Sequence, residues 1–174
     1  MAKTSSAPKV VCDAGPLIHL DELGCLDLLT DFGAVLVPDI VWQEVAQHRP
    51  GALGQTVPRL TRVGISLPDE VGFKTLVRAF SLDAGEQAVL ALMRQRPRAI
   101  LLTDDAAARL AAEQLDMRVH GTIGILLRAI RRGQRTPEEV LALLHAMPRQ
   151  STLHIRPDLL SAVIARVQQG FGLG

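Results

Sequence analysis

Three short aliphatic runs punctuate this chain, and none of them alternates with polar residues: Lys9-Val10-Val11-Cys12, Val35-Leu36-Val37 and Ala99-Ile100-Leu101-Leu102. A strand that is apolar on both sides must be covered on both faces. Segments with helical spacing separate the runs. Strand alternating with helix predicts an α/β fold: a three-layer α/β/α arrangement around a central, mostly parallel sheet. The 174 residues suffice for one domain with a real core. Aromatic residues make up 3% and Tyr is absent, so that core must be aliphatic.

Local signals set the expected boundaries. Residues 1–8 are small and polar and read as a disordered N-terminus. The first strand ends at Asp13, and Ala14-Gly15-Pro16 is a turn that launches a helix at Pro16. Pro38-Asp39 starts a helix over Ile40–Gln47. Residues 48–62, rich in Pro, Gly and Arg, read as a loop, Val63–Leu67 as an edge strand, and a helix is expected from Pro68 to Phe80. Asp83 caps a helix that Pro97 ends, and Thr103-Asp104-Asp105 opens another after the third aliphatic run. Arg118-Val119-His120 is a short strand, followed by a helix from Thr122 to near Gly133. Thr136-Pro137-Glu138-Glu139 is a capping box whose helix runs to Met147, and Pro157–Gln168 is a last amphipathic helix. Residues 9–133 form the expected core domain, and 134–174 a helical C-terminal extension packed on it.

A formal charge of +1 gives no global case for nucleic-acid binding, so any such case rests on local patches. Cys12 and Cys25 lack metal-ligand spacing and read as buried, reduced thiols. No segment has the length of a membrane span, and the start lacks a signal peptide's apolar stretch. A cytoplasmic protein is expected.

Five acids carry the chemistry: Asp13, Glu44, Glu86, Asp104 and Asp105. Each has a structural account. Asp13 suits a helix cap, Glu86 is the capping-box partner of Asp83, Asp104 and Asp105 complement a helix dipole, and Glu44 suits an exposed helix face. Together they demand more. Several acid-bearing junctions converge on the carboxyl end of one parallel sheet, where ligands of such folds bind. Mg²⁺ or Mn²⁺ takes oxygen ligands and one or two carboxylates, and activates water for phosphodiester hydrolysis.

These segments resemble the PIN-domain family, which includes the VapC-type toxin ribonucleases of toxin–antitoxin pairs. The resemblance lies in Val11-Cys12-Asp13-Ala14-Gly15-Pro16-Leu17-Ile18, Val37–Val45, Asp83-Ala84-Gly85-Glu86-Gln87-Ala88 and Leu101-Leu102-Thr103-Asp104-Asp105. His120-Gly121-Thr122-Ile123-Gly124-Ile125-Leu126 is similar to a subgroup with a longer C-terminus. The resemblance implies a metal-dependent endoribonuclease that leaves a 3′-hydroxyl and a 5′-phosphate. It puts the family's acids on Asp13, Glu44, Glu86 and Asp105, with Thr103 beside them to orient a water. Glu86 stands where the family usually has Asp. Asp104 is acidic at a variable place, and either member of the pair could face the metal. The implied metal ligands are Asp13, Asp105, Asp104 and Glu86.

An RNA substrate needs cations, and Arg109 and Arg49 are the leading candidates for holding it. A cognate antitoxin and a homodimer follow from the same resemblance, the dimer also from apolar stripes at Val140–Met147 and Leu159–Val167. The rival to a ribonuclease is a catalytically inactive PIN-like protein-binding module. A weaker rival is a hydrolase of small phosphoesters. The five His show no zinc-site spacing.

Overall fold

The computed structural model describes residues 7–56 and 58–170, so most of the segment expected to be disordered lies outside the described residues. Five strands form one parallel sheet: β1 (Lys9–Cys12), β2 (Ala34–Pro38), β3 (Leu60–Val63), β4 (Ile100–Leu102) and β5 (Arg118–His120). Their order is β3-β2-β1-β4-β5. The chain therefore adds strands to one side of β1, then returns and adds strands to the other. The crevice between the carboxyl ends of β1 and β4 is the topological switch point.

Helices flank this sheet: α1 (Ala14–Glu22), α2 (Asp39–His48), α3 (Pro50–Leu53), α4 (Val71–Phe80), α5 (Ala84–Gln95), α6 (Ala106–Gln114), α7 (Thr122–Arg131), α8 (Pro137–Gln150) and α9 (Pro157–Gly170). A 3₁₀ segment, Leu26–Asp31, follows α1. Val10, Val11, Cys12, Leu101 and Leu102 are fully buried, so both central strands are covered on both faces, as their unbroken apolar runs require. The core is Leu, Val, Ile and Ala with little aromatic material. Both thiols are buried and unpaired. Burial pushes Cys25 up to about 12 and Cys12 well above its ordinary value, so neither is a ready nucleophile.

Some boundaries differ from expectation for identifiable reasons. α1 begins at Ala14 rather than Pro16, because the Asp13 side chain caps it; proline fits the first turn, where its missing N–H has no intrahelical partner. The edge strand is Leu60–Val63, not Val63–Leu67: pairing with β2 aligns Val35 with Leu60 and Pro38 with Val63. Within the expected loop, Pro50 starts the single-turn α3, which buries Ala52. α4 starts at Val71 and α8 continues through Pro148 to Gln150.

The C-terminal apolar stripes are covered for the most part, with Leu159 left 47% exposed. Val140, Leu144, Met147, Leu160 and Val167 are buried, with α8 packed on α7 and α9 on α8. The stripes therefore offer a second copy less apolar surface than their sequence suggested. Among the described residues no helix is long and apolar enough to cross a membrane.

Candidate functional site

Strand ends and helix starts meet at the carboxyl edge of the sheet, where β1 delivers Asp13 and β4 delivers Thr103, Asp104 and Asp105. The Asp13 backbone N–H donates to the Leu102 carbonyl at 2.9 Å, locking the two strand ends together. Its carboxylate accepts from Ala14 N at 2.8 Å through Oδ1 and from the Thr103 hydroxyl at 2.8 Å through Oδ2. Asp13 is only 8% exposed. Burial raises its pKa to about 6, against the lowering bonds from Thr103 and Ala14, and the charges of Glu44 and Asp83 push the same way as burial.

Thr103 is fully buried. Its hydroxyl donates to Asp13 and accepts the Asp105 N–H at 3.2 Å. This differs from the expected water-orienting role: the hydroxyl is engaged inside the protein and couples Asp13 to the β4 loop, which makes Thr103 a positioning residue.

Asp104 and Asp105 are adjacent in sequence and unlike in surroundings. Asp104 accepts from Thr122 N at 2.7 Å, from the Thr122 hydroxyl at 2.6 Å, and is hydrogen-bonded to His19 Nδ1 at 2.8 Å. It joins β4, α1 and the start of α7. Close approach is possible because residue 121 is glycine: a Cβ there would lie 2.7 Å from Asp104 Oδ1. Asp105 caps α6 by accepting from Ala108 N at 2.8 Å. One oxygen of Asp105 serves that cap, and the residue stays exposed.

Glu86 and Asp83 form the capping box of α5. Glu86 Oε2 accepts from Asp83 N at 2.8 Å, and Asp83 Oδ1 accepts from Glu86 N at 2.9 Å. Glu86 is raised to about 7, first by burial and then by the neighbouring Asp105 and Asp83, in spite of the lowering bond from the Asp83 backbone. Glu44 reaches the same place from α2. It passes close to Gly85, where a Cβ would lie 3.4 Å from both Glu44 Oε2 and Asp83 Oδ1, an ordinary contact distance. Burial and the Asp83 charge raise Glu44, with His48 opposing.

These groups line one open cleft of about 320 Å³: Asp13, Glu44, Asp83, Glu86, Asp104 and Asp105, with Gly15, His19 and the segment Thr152-Leu153-His154. All five acids anticipated from sequence are in it. Asp83 was read only as a cap, and its double role has no local signature. His19, Thr152 and His154 carried no signal either; they arrive from distant segments by packing.

The anticipated RNA-contacting arginines are engaged elsewhere. Arg49 pairs with Asp21 at 2.6 Å. Arg109 donates to the Thr103 carbonyl at 3.3 Å and so supports the acidic loop from behind. It also belongs to a positive neighbourhood around His120, whose pKa burial lowers, together with the charges of Arg128, Arg131, Arg109 and Arg118.

The donor set fits a hard cation, being carboxylate oxygen with several members raised by burial and mutual repulsion. Among the described residues no three Asp, Glu, His or Cys side chains stand close enough to make a complete metal cage. Mg²⁺ does not require one, since it keeps several waters and takes one or two carboxylates. Asp13 and Asp105, with Glu86 and Glu44 beside them, are the side chains available to hold it or its waters.

Comparison with curated proteins and with solved structures finds no match. A protein family described as PIN domain matches residues 9–169, a span that takes in α8 and most of α9. PIN domains are as a rule nucleases that use divalent metal ions. Matched from its first strand into its last helix, the chain belongs to the PIN-domain family.

Proposed function

We propose that this protein is a Mg²⁺- or Mn²⁺-dependent endoribonuclease, the toxin of a toxin–antitoxin pair. The observation that carries the reading is a buried carboxylate, Asp13, held rigidly at the switch point among acids delivered by α2, α5 and the β4 loop. When bound, a divalent cation supplies an activated water and neutralises charge on the phosphodiester. The chain's own groups do the rest. Ala14 and Thr103 fix the Asp13 rotamer, which removes reorganisation at a ligand position. Asp105 offers its second oxygen from a helix cap that fixes the first. Glu86, whose carboxyl is raised by burial and by the neighbouring Asp105 and Asp83, stands where a cation would relieve that repulsion and hold it ionised. Asp104, with three donors on it, acts as a positioning residue.

The toxin role and the antitoxin partner rest on similarity to VapC-type toxins. A homodimer belongs to the same reading. Val71, 80% exposed on α4, and Leu110, 52% exposed on the adjoining α6, offer apolar surface for a second copy.

The deciding experiment is cleavage of single-stranded RNA by purified protein with Mn²⁺, beside the Asp13→Asn variant and a chelator control. Cleavage that needs both the cation and Asp13 supports the reading; wild type that neither binds Mn²⁺ by calorimetry nor cleaves RNA overturns it. The inactive binding module draws on one feature: Asp83 and Glu86 are already occupied by each other. Growth arrest on expression in bacteria, relieved by Asp13→Asn and by co-expression of a neighbouring open reading frame, tests the toxin role. Sedimentation tests the dimer.

A further inference from the structure

The segment between α8 and α9 is fastened down and borders the acidic cleft. The Glu22 carboxylate, at the end of α1, accepts from Thr152 N at 2.7 Å, from the Thr152 hydroxyl at 3.0 Å and from the Ser151 hydroxyl at 3.0 Å. Ser151 Oγ also accepts the Leu153 N–H at 3.1 Å. Burial would raise the Glu22 pKa, but the bonds from Thr152 and Ser151 outweigh it and hold that carboxyl below its ordinary value. On either side of residue 154, Leu153 and Ile155 pack against the core. His154 between them is exposed and lines the acidic cleft.

That placement meets a chemical need. Six carboxylates surround the cleft, and a phosphodiester entering it is an anion among anions. Its basic lining side chains are His19 and His154. His19 is engaged with Asp104, whereas the bonds that fasten the linker come from Ser151 and Thr152 and leave the imidazole of His154 out of the clamp. An imidazole N–H can donate to a non-bridging phosphate oxygen in either protonation state.

We propose that His154 is a substrate-contacting residue that donates to a phosphate of RNA at the acidic cleft, and that the Glu22 clamp is the device that positions it. The proposal rests on the ribonuclease reading and assigns the C-terminal helices a part in the site: they hold one wall of it.

The test compares wild type, His154→Ala, His154→Gln and Glu22→Gln with Mn²⁺ and a fluorescently labelled single-stranded RNA. Three quantities are read: Mn²⁺ affinity by calorimetry, KM and kcat for cleavage, and RNA affinity by anisotropy on an Asp13→Asn background. His154→Ala is expected to raise KM and weaken RNA binding about tenfold, the worth of one charge-assisted hydrogen bond, with Mn²⁺ affinity unchanged. His154→Gln, which keeps an N–H donor, recovers part of the loss. Glu22→Gln moves KM in the same direction with a smaller amplitude. If wild type cleaves and His154→Ala matches it in KM and RNA affinity, the His154 assignment falls alone. If His154→Ala loses Mn²⁺ affinity as well, a direct phosphate contact is overturned in favour of a role at the cation. If wild type neither binds Mn²⁺ nor cleaves, both readings fall together.

Discussion

The two ends of the parallel sheet carry opposite charge. At the carboxyl end, the strands run into helix N-termini and the side chains are Asp13, Asp104, Asp105 and the Asp83–Glu86 box. At the amino end, where α5 finishes and β1 and β4 begin, a cleft of about 670 Å³ is lined by Lys9, Arg96 and Arg98 with Pro8, Gly33 and Pro97. The helix dipole accounts for much of both sets: Asp13, Asp83 and Asp105 cap helix starts, and Arg96 caps the end of α5. Charge segregation is therefore no proof of a site, and neither is cleft size, since the larger cleft is at the basic end. The difference lies in convergence and burial. The acids come from separate elements into one small volume, and one of them is buried with a pKa raised to about 6. The basic side chains are exposed at their own end.

Substitutions can break this comparison. Asp13→Asn is expected to lower Mn²⁺-dependent RNA cleavage by roughly 100-fold or more, as loss of a metal ligand should cost at least what loss of its support does. A gel assay with labelled RNA checks it, and a variant as active as wild type would reduce the acidic end to a set of helix caps. Asp104→Ala is expected to cost about 3 kcal/mol in urea unfolding, because it strands the buried Thr122 hydroxyl and removes a charged acceptor from three donors. Gly121→Ala should cost about 1–3 kcal/mol by the same measurement, since its Cβ would stand 2.7 Å from Asp104 Oδ1.

The pH dependence follows from the raised carboxyls. Asp13 moves from the usual 3.8 to about 6 and Glu86 from 4.5 to about 7, so the folded state binds more protons than the unfolded chain between those values. Their contribution to stability is full below the unfolded values and is lost as pH rises through the folded ones. The thermal midpoint of metal-free protein should fall between about pH 4 and pH 7 on their account, and Mn²⁺ at pH 8 should raise it. Calorimetry in matched buffers measures both. The smallest effects separate neighbours and ends: Asp105→Ala should cost about 1 kcal/mol as a lost cap, and Arg96→Ala under about 0.5 kcal/mol.

Much of the fold was legible because its signals are local. The aliphatic runs of β1, β2 and β4 demand cover on both faces, and Asp83, Asp105 and Thr136 carry capping patterns that place three helix starts. β3 was misplaced by three residues at its start because its position is set by pairing with β2, and Val63–Leu67 is the more apolar stretch. The C-terminal stripes are covered from within the chain more than expected for a related reason: amphipathy says that a helix face is buried, not against what.

The site divides in the same way. Sequence alone determined which acids follow which strands, since a carboxylate directly after a buried strand must emerge at that sheet edge. It could not separate Asp104 from Asp105, because the difference lies in His19 and Thr122, far along the chain in either direction. Nor could it bring His154 to the cleft, which depends on one carboxylate, Glu22, gripping a distant linker. Tertiary structure decided those partnerships because a hydrogen bond is chosen by proximity in the folded chain, and no spacing along the sequence encodes that distance.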